Sequence, residues 1–196
     1  MASTASPYGL IPVNLIGGQS FNGGAIREVP MTVNTATAIY TGDVILIGAS
    51  SAGQPTAAGA TVTTSTGGVL GVCVGVSYVD PVLKYQVHAQ YLPANAITGG
   101  YTNVIIKVND DKDQIYQIQG AGSIAATTRG YQAALGNFGG SATTGRSTVN
   151  LVAPARTATL AMRVIDFVDA GSSYTDVLVK FNTGVHMYDA TTVTAA

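Results

Sequence analysis

The alternation of apolar and polar residues is clearest across residues 103–119, where it predicts two β-strands. Apolar side chains recur at every second position of Val104–Val108, the period of a strand with one buried face. The same period returns at Tyr116 and Ile118. The polar segment Asn109–Asp113 between them has the length and composition of a hairpin turn. The pattern therefore predicts an antiparallel hairpin near the centre of the chain.

Further segments before this hairpin also predict strands. Ala38–Gly48 has the pattern of a strand, a turn and a second strand. Gly68–Asp80 predicts a longer apolar strand that contains Gly71 and Gly75. Glycines inside a strand indicate a bulge, a bend or the close approach of another backbone. Alternation in residues 83–89 predicts a strand with these side chains facing inward: Leu83, Tyr85 and Val87.

After the hairpin, Ser123–Leu135 is the best candidate for a helix, although Gly130 weakens it. Four later segments predict strands: Val149–Ala153, Leu160–Val168, Asp176–Phe181 and Val185–Tyr188. About nine short strands separated by turn residues are typical of a sandwich or a barrel. We therefore expect an all-β fold, an antiparallel β-sandwich or a barrel of the β-tulip or jelly-roll kind. It would have an extended N-terminal arm and at most one short helix.

The first thirty residues predict an extended arm. Pro7, Pro12 and Pro30 fix φ and remove backbone donors, and the apolar residues between them follow no helical period. Burial of apolar side chains alone does not offset the backbone entropy lost when such a segment is ordered. The arm therefore needs backbone hydrogen bonds to a strand edge, or several arms acting together in an oligomer.

This organisation divides the chain into an arm (residues 1–30), a single β domain (31–188) and a flexible tail (189–196). The long uncharged loop at residues 48–68 is a second expected contact surface, because such loops are often functional. The arm residues expected at an interface with another subunit are Pro7, Tyr8, Leu10, Ile11, Pro12, Val13, Leu15, Ile16 and Phe21.

The composition favours a protein that works inside an assembly. Hydrophobic residues make up 46% of the chain and charged residues only 10%, whereas about 25% charged is usual. Residues 1–26 and 44–79 carry no charge at all. Low charge lowers the cost of burying surface at an interface. The alternative is a poorly soluble monomer rich in Ser and Thr. Nucleic-acid binding is not expected at a net charge of −1 without a basic run.

No segment matches a metal or cofactor motif. The loop Asn109–Asp113 carries Asn or Asp at three positions of a calcium-loop pattern, but Gln114 and Gly120 stand where that pattern needs Gly and Glu. The segment Gly120–Ala125 imitates a dinucleotide fingerprint but lacks the acidic residue expected about 20 positions later. Every apolar run is too short for a membrane span. We expect no metal, no cofactor and no membrane segment.

No catalytic residues are expected either. His88 and His186 both fall on the polar side of predicted strands, so we interpret them as surface histidines, with a hydrolase of unrecognised site as the alternative. The lone Cys73 lies in an apolar run and is interpreted as a buried small hydrophobe. Exposed tyrosines stack on sugars, so a carbohydrate-binding or adhesive β module remains a further alternative.

Three short segments of the chain together resemble a known family. They are Ser6–Val13 (SPYGLIPV), Ala38–Val44 (AIYTGDV) and Asp110–Gln119 (DDKDQIYQIQ). These segments resemble the N-terminal signature, the first strand pair and the central acidic turn of the head decoration, or cement, proteins of tailed bacteriophages. The chain departs from the family pattern at Gln117, where an acidic residue is common, and at Gly120–Gly122, which replaces a more polar turn.

The resemblance implies a structural virion protein without enzymatic activity. Such a subunit lies on the outer surface of the capsid, binds the major capsid protein and bridges neighbouring subunits of the shell. It also implies self-association, as a homotrimer or alternatively a dimer.

Overall fold

The computed structural model describes residues 4–15, 26–47, 55–58, 62, 68–170 and 172–190. Nearly all of its regular structure is β, and the described helical structure is the 3₁₀ turn Ala126–Thr128. The first nine strands are β1 (Ile11–Leu15), β2 (Ile26–Met31), β3 (Ile39–Tyr40), β4 (Val44–Ile47), β5 (Pro55–Ala57), β6 (Val69–Val79), β7 (Gln86–Ala89), β8 (Tyr91–Leu92) and β9 (Thr102–Asn109). The remainder are β10 (Gln114–Gln119), β11 (Gln132–Ala133), β12 (Leu135–Gly136), β13 (Gly140–Ser141), β14 (Arg146–Ser147), β15 (Asn150–Leu151), β16 (Met162–Phe167) and β17 (Asp176–Phe181).

Two antiparallel sheets form the body of the molecule. One has five strands in the order β1-β10-β17-β16-β11. The other has six: five lie in the order β2-β9-β6-β4-β5, and the sixth, β7, pairs with β6. Three two-stranded sheets, β12-β15, β13-β14 and β3-β8, complete the fold. The sheets pack together without closing into a barrel, so the expected all-β sandwich is confirmed.

The long strand β6 is buried on both faces, because it lies between two hydrophobic clusters. Val69 and Val72 belong to the cluster shared with the five-stranded sheet, whereas Leu70 and Cys73 belong to the cluster on the opposite face. The sequence of a strand that is covered on both faces is a continuous apolar run, without alternation of apolar and polar residues. Cys73 is fully buried, as its surroundings in the sequence predicted.

The glycine in the first half of β6 allows two strands to approach closely. A Cβ on Gly71 would lie 1.9 Å from the backbone oxygen of Asn109, so no side chain fits at this position. Of the three features that glycines in this strand indicated, a bulge, a bend or a close backbone, the close backbone is present at Gly71. The contact lies where β9 ends and the chain leaves the six-stranded sheet.

The predicted central hairpin is wrong. Both of its strands exist, as β9 and β10, but they do not pair with each other. β9 pairs with β2 and β6 in one sheet, while β10 pairs with β1 and β17 in the other. The segment Asn109–Asp113 is therefore a corner at which the chain crosses from one sheet to the other. The alternating burial of Val104, Ile106 and Val108 is nevertheless as predicted.

Several local predictions also differ from the structure. The helix expected at Ser123–Leu135 is replaced by the short turn Ala126–Thr128 and by strands β11 and β12. Val185–Tyr188 is a turn that touches β6 through a single bridge at His186. The uncharged loop at residues 48–68 contains a described strand, β5, and otherwise lies largely outside the described residues.

The strand predicted at residues 83–89 begins only at Gln86. Leu83 and Tyr85 were expected to face inward, but they are 52% and 59% exposed. They belong to the turn between β6 and β7, where Asp80 accepts hydrogen bonds from the backbone N–H groups of Val82 and Leu83 at 2.8 and 2.9 Å. Those bonds hold the turn in a shape that directs its apolar side chains to the surface.

The first thirty residues contribute strands to both sheets. β1 is an edge strand of the five-stranded sheet, and the expected boundary at residues 30 and 31 falls inside β2. At the other end, Asp189 belongs to the last turn, where its backbone N–H donates to the carbonyl of His186 at 2.9 Å. Residues 191–196 of the expected tail lie outside the described residues.

Candidate subunit interface

The N-terminal arm is held on the molecule by backbone pairing along β10. Ile11 lies opposite Gln117 and Pro12 opposite Tyr116, with an irregularity before Asn14. Before the strand begins, the backbone N–H of Ser6 donates to the side-chain oxygen of Gln119 at 2.8 Å. The arm thus has the strand-edge hydrogen bonds that its entropy cost requires.

A close contact between two glycines fixes the arm against the turn that follows β3. Gly9 and Gly42 both have positive φ, at 76° and 93°, and a Cβ on Gly9 would lie 2.7 Å from the carbonyl oxygen of Gly42. The same carbonyl accepts a hydrogen bond from the backbone N–H of Leu10 at 3.0 Å, and the Gly42 N–H donates to Cys73 at 2.8 Å. The arm, this turn and β6 are therefore linked through their backbones.

The side chains of the arm differ in their exposure. Leu10 is only 1% exposed and belongs to the hydrophobic cluster between the sheets. Ile11 points outward and is 38% exposed. The other predicted interface residues of the described arm are half-buried: Pro7, Tyr8, Pro12 and Val13. The backbone of Leu15 pairs with Gln114, and Ile16 and Phe21 lie outside the described residues.

Tyr8 is anchored by a carboxylate of the five-stranded sheet. Its hydroxyl donates to Oδ1 of Asp176 at 2.8 Å, and Gln117 donates to Oδ2 of the same carboxylate at 3.4 Å. Burial, followed by the hydrogen bond and the charge of Asp176, raises the pKa of Tyr8 well above its usual value. The phenol therefore remains a neutral donor to Asp176 throughout the physiological pH range.

A buried polar network ties the end of the arm to the corner between the sheets. The hydroxyl of Tyr116 donates to Asn109 Oδ1 at 2.8 Å, and Asn109 donates to Gln114 Oε1 at 3.3 Å. Gln114 in turn donates to the backbone oxygen of Asn14 at 2.8 Å. Sequence reasoning missed this network, because it assigned the corner to an exposed hairpin tip.

The acidic corner does not form a cation site among the described residues. Its carboxylates form ion pairs and hydrogen bonds with neighbouring residues. Asp110 pairs with Arg27 at 3.1 Å, and Asp113 accepts a hydrogen bond from Lys180 at 2.6 Å. Asp111 accepts from the backbone N–H of Asp113 at 2.8 Å, a bond that shapes the turn. These contacts give the acidic residues a structural role.

The two histidines lie in different environments. His88 is exposed on β7, as predicted, whereas the prediction for His186 is wrong, because His186 is 1% exposed. Its Nδ1 accepts a hydrogen bond from the backbone N–H of Tyr188 at 3.3 Å, and burial lowers its pKa. No hydroxyl or carboxylate of the described residues bonds to either imidazole in the manner of a hydrolytic triad.

A cleft of about 440 Å³ lies beside the arm. Ile11 and Pro12 of the arm contribute to its lining, together with the side chains of Lys107 and Arg146. Such a lining suits a partner segment that combines an apolar side chain with an acidic one. The exposed part of the arm and this cleft form the candidate interface, which we call the arm face.

No family model matches the chain, and no curated protein or solved structure is significantly similar to it. Among the described residues there is no helix long and apolar enough to span a membrane.

Proposed function

We propose that this chain is a structural protein of a tailed-bacteriophage virion, a decoration or cement subunit. In this role it binds the outer surface of the capsid through the arm face and bridges neighbouring subunits of the major capsid protein. It stabilises the shell by adding buried surface and hydrogen bonds across their joints, and it performs no covalent chemistry. It acts as a homo-oligomer, with several copies engaged at once.

The observation that carries this proposal is the meeting of three sequence segments in space. Ser6–Val13, Ala38–Val44 and Asp110–Gln119 are far apart in the chain, and each resembles the cement proteins. The first pairs with the third through Ile11 and Gln117, and it contacts the second through Gly9 and Gly42. Short matches that converge on one structural unit support the resemblance better than scattered ones would.

The distribution of charge supports the proposal as well. Five of the ten acidic residues of the chain form ion pairs within it, and the charge of these five is therefore balanced before another protein approaches. The pairs join Arg27 to Asp110, Lys107 to Glu28, Lys112 to Asp113 and Asp189, Arg129 to Asp166, and Lys180 to Asp113. The charged residues in the lining of the cleft are Lys107 and Arg146, and both are basic.

A point substitution on the arm face tests the proposal. Ile11→Asp places a charge on an exposed position of the arm, and Val168→Asp does the same at a more exposed position, 55%, outside the arm face. Head shells of the phage that encodes the chain, assembled without it, are mixed with each variant and sedimented. We expect Ile11→Asp to weaken binding at least tenfold, which corresponds to about 1.4 kcal/mol. Val168→Asp should bind like the unmodified chain.

Shell stability provides the second readout. Shells saturated with the unmodified chain should rupture at a higher temperature than bare shells, because bound subunits add contacts across the joints. The proposal is wrong if the unmodified chain does not sediment with shells, or if it binds without raising their rupture temperature.

The carbohydrate-binding alternative is favoured by one observation, the exposed ring of Tyr85. Tyr188 is also exposed, but Arg27 lies 5.9 Å from its ring centroid and its hydroxyl donates to Asp110 at 3.1 Å. Glycan binding that is lost in Tyr85→Ala would establish this alternative in place of the cement function.

A further inference from the structure

Strand β7 has a free hydrogen-bonding edge. It pairs with β6 in an unbroken antiparallel register, with Val87 opposite Tyr78 and His88 opposite Ser77. The backbone N–H of Asp80 donates to Tyr85 at 3.2 Å, which places residue 85 among those bonded toward β6. Backbone groups alternate in direction along an antiparallel strand, so the even-numbered residues point away from β6.

The direction is confirmed at the end of the strand, where the carbonyl of Gln90 accepts from the backbone N–H of Thr41 at 2.8 Å. That contact closes the edge at residue 90. The outward N–H and C=O groups of Gln86 and His88 have no hydrogen-bond partner within the part of the chain that the structure describes. They form a short edge available to another strand.

Other outer edges of the two sheets are protected against such pairing, whereas β7 is not. β1 contains Pro12, and β2 contains Pro30 together with Arg27 and Glu28. β5 begins with a proline, and the outer side of β11 exchanges two backbone hydrogen bonds with Ala155, at 3.0 and 2.7 Å. Prolines, charges and covering segments are the usual means of blocking edge-to-edge association. The sequence of β7, Gln-Val-His-Ala, has none of them.

The turn next to this edge presents apolar side chains in a fixed shape. Val82 is 84% exposed, and Leu83 and Tyr85 are more than half exposed, although Asp80 holds the turn through its side chain and backbone. An ordered turn that keeps adjacent apolar residues in water is typical of a contact surface.

We propose that β7 is a self-association site, at which β7 of one copy pairs antiparallel with β7 of a second copy about a two-fold axis. Because Gln86 and His88 carry the outward groups, the axis passes through Gln86 or through Val87. An axis at His88 would place Gln86 against Gln90 of the partner subunit, where Thr41 already occupies the edge.

This pairing is self-complementary in its side chains. Tyr85, Val87 and Ala89 share one face of the strand, and Val87 and Ala89 pack against the hydrophobic cluster beneath. In the paired state Tyr85 lies against Val87 or Ala89 of the partner subunit, so an exposed ring is covered. Gln86 and His88 share the opposite face and are polar, and β7 contains no Asp, Glu, Lys or Arg, so no like pair of these charges meets in the paired strands.

The inference does not depend on the proposed capsid function, and its test uses the purified chain alone. Four variants of the full chain, each with one added cysteine, are prepared: Gln86→Cys, Val87→Cys, His88→Cys and, as an exposed control, Val168→Cys. The native Cys73 is fully buried and does not interfere. Mild oxidation is followed by electrophoresis without reductant.

A residue on the axis lies about 4.5–5.5 Å from its own copy between Cα atoms, within the range of a disulfide. A residue that is adjacent in sequence to the axis residue lies roughly 8 Å from its own copy, which is beyond that range. We expect either Gln86→Cys or Val87→Cys to form a disulfide-linked dimer rapidly. His88→Cys should form it only as slowly as the control Val168→Cys. Equal rates in all four variants, or background rates at both 86 and 87, would overturn the proposal.

A second measurement removes the edge without adding a thiol. His88→Pro deletes an outward N–H and leaves the hydrogen bonds to β6 intact, so the variant should fold. Because the edge is short, self-association is measured by sedimentation at high protein concentration. Concentration-dependent dimers in the unmodified chain and their loss in His88→Pro support the proposal. The same sedimentation behaviour in both chains, at an unchanged unfolding temperature, contradicts it.

Discussion

Asp43 is a buried carboxylate whose titration should be visible in the stability of the whole fold. It is 4% exposed, lies directly after the glycine that contacts the arm, and accepts a hydrogen bond from the backbone N–H of Tyr40 at 2.8 Å. No cation of the described residues pairs with it. Burial raises the pKa of Asp43 from 3.8 to about 6, although hydrogen bonds from Ser147 and Tyr40 oppose the rise.

The sign of the effect follows from linkage. Because the folded pKa lies above the unfolded pKa, the folded state binds the proton more tightly. The stabilisation from this proton is fully present below pH 4 and is lost as the pH rises through about 6. A difference of about two pKa units corresponds to roughly 3 kcal/mol. At neutral pH the ionised Asp43 therefore reduces the free energy of unfolding by about that amount.

The substitution Asp43→Asn isolates this contribution. The amide keeps an oxygen that accepts from Tyr40, but it carries no charge at any pH. Urea unfolding of both proteins from pH 3.5 to pH 8 gives the difference in free energy of unfolding at each pH. We expect the variant to gain about 3 kcal/mol relative to the unmodified chain between pH 4 and pH 7. All other groups titrate in both proteins and cancel in the difference.

Asp113 provides a control of opposite sign. Its hydrogen bond with Lys180 lowers the pKa of Asp113. The stability that ionised Asp113 contributes to the folded state is therefore lost as the pH falls, whereas that from protonated Asp43 is lost as the pH rises. Asp113→Asn should therefore lose stability relative to the unmodified chain as the pH increases. If the difference for Asp43→Asn stays constant from pH 4 to pH 7, or follows the direction of Asp113→Asn, the reasoning about burial is refuted.

Two further substitutions test the attachment of the arm. Gly9→Ala should destabilise the fold by about 2 kcal/mol or more in urea unfolding, because the new Cβ meets the Gly42 carbonyl at positive φ; a loss below about 0.5 kcal/mol would contradict the contact. Tyr116→Phe should cost about 1–3 kcal/mol, because Asn109 loses its buried donor. An unchanged midpoint in that variant would show that the network contributes nothing.

The sequence pattern identified strands more reliably than their partners. The alternation in Val104–Val108 and at Tyr116 and Ile118 reports burial on one face, and the structure agrees. The same alternation occurs whether two strands joined by a short polar loop pair with each other or pass into facing sheets. The choice depends on Gly71, which admits the backbone of Asn109, and on the network around Gln114. Those contacts lie between distant segments, so no local pattern predicts them.

The errors at Leu83, Tyr85 and His186 have a related cause. Alternation predicts which residues share a face, but not whether that face meets the core. At Leu83 and Tyr85 the hydrogen bonds of Asp80 turn the chain before the strand begins. His186 is buried because its turn packs against β6, where Met187 donates to the carbonyl of Val69 at 2.8 Å. For the arm, the sequence predicted an extended segment but not which of its side chains are exposed, such as Ile11, and which are buried, such as Leu10.

The burial of Leu10 determines how the arm can be tested. Removing residues 1–16 would at first sight abolish shell binding and leave the β domain intact. It would also remove edge strand β1, expose β10 and open the hydrophobic cluster at Leu10, a loss of about 2–5 kcal/mol for that side chain alone. Failure of such a truncation to bind would therefore report lost folding as readily as a lost interface. Ile11→Asp changes only an exposed side chain of the same strand, so its effect on binding can be assigned to the surface.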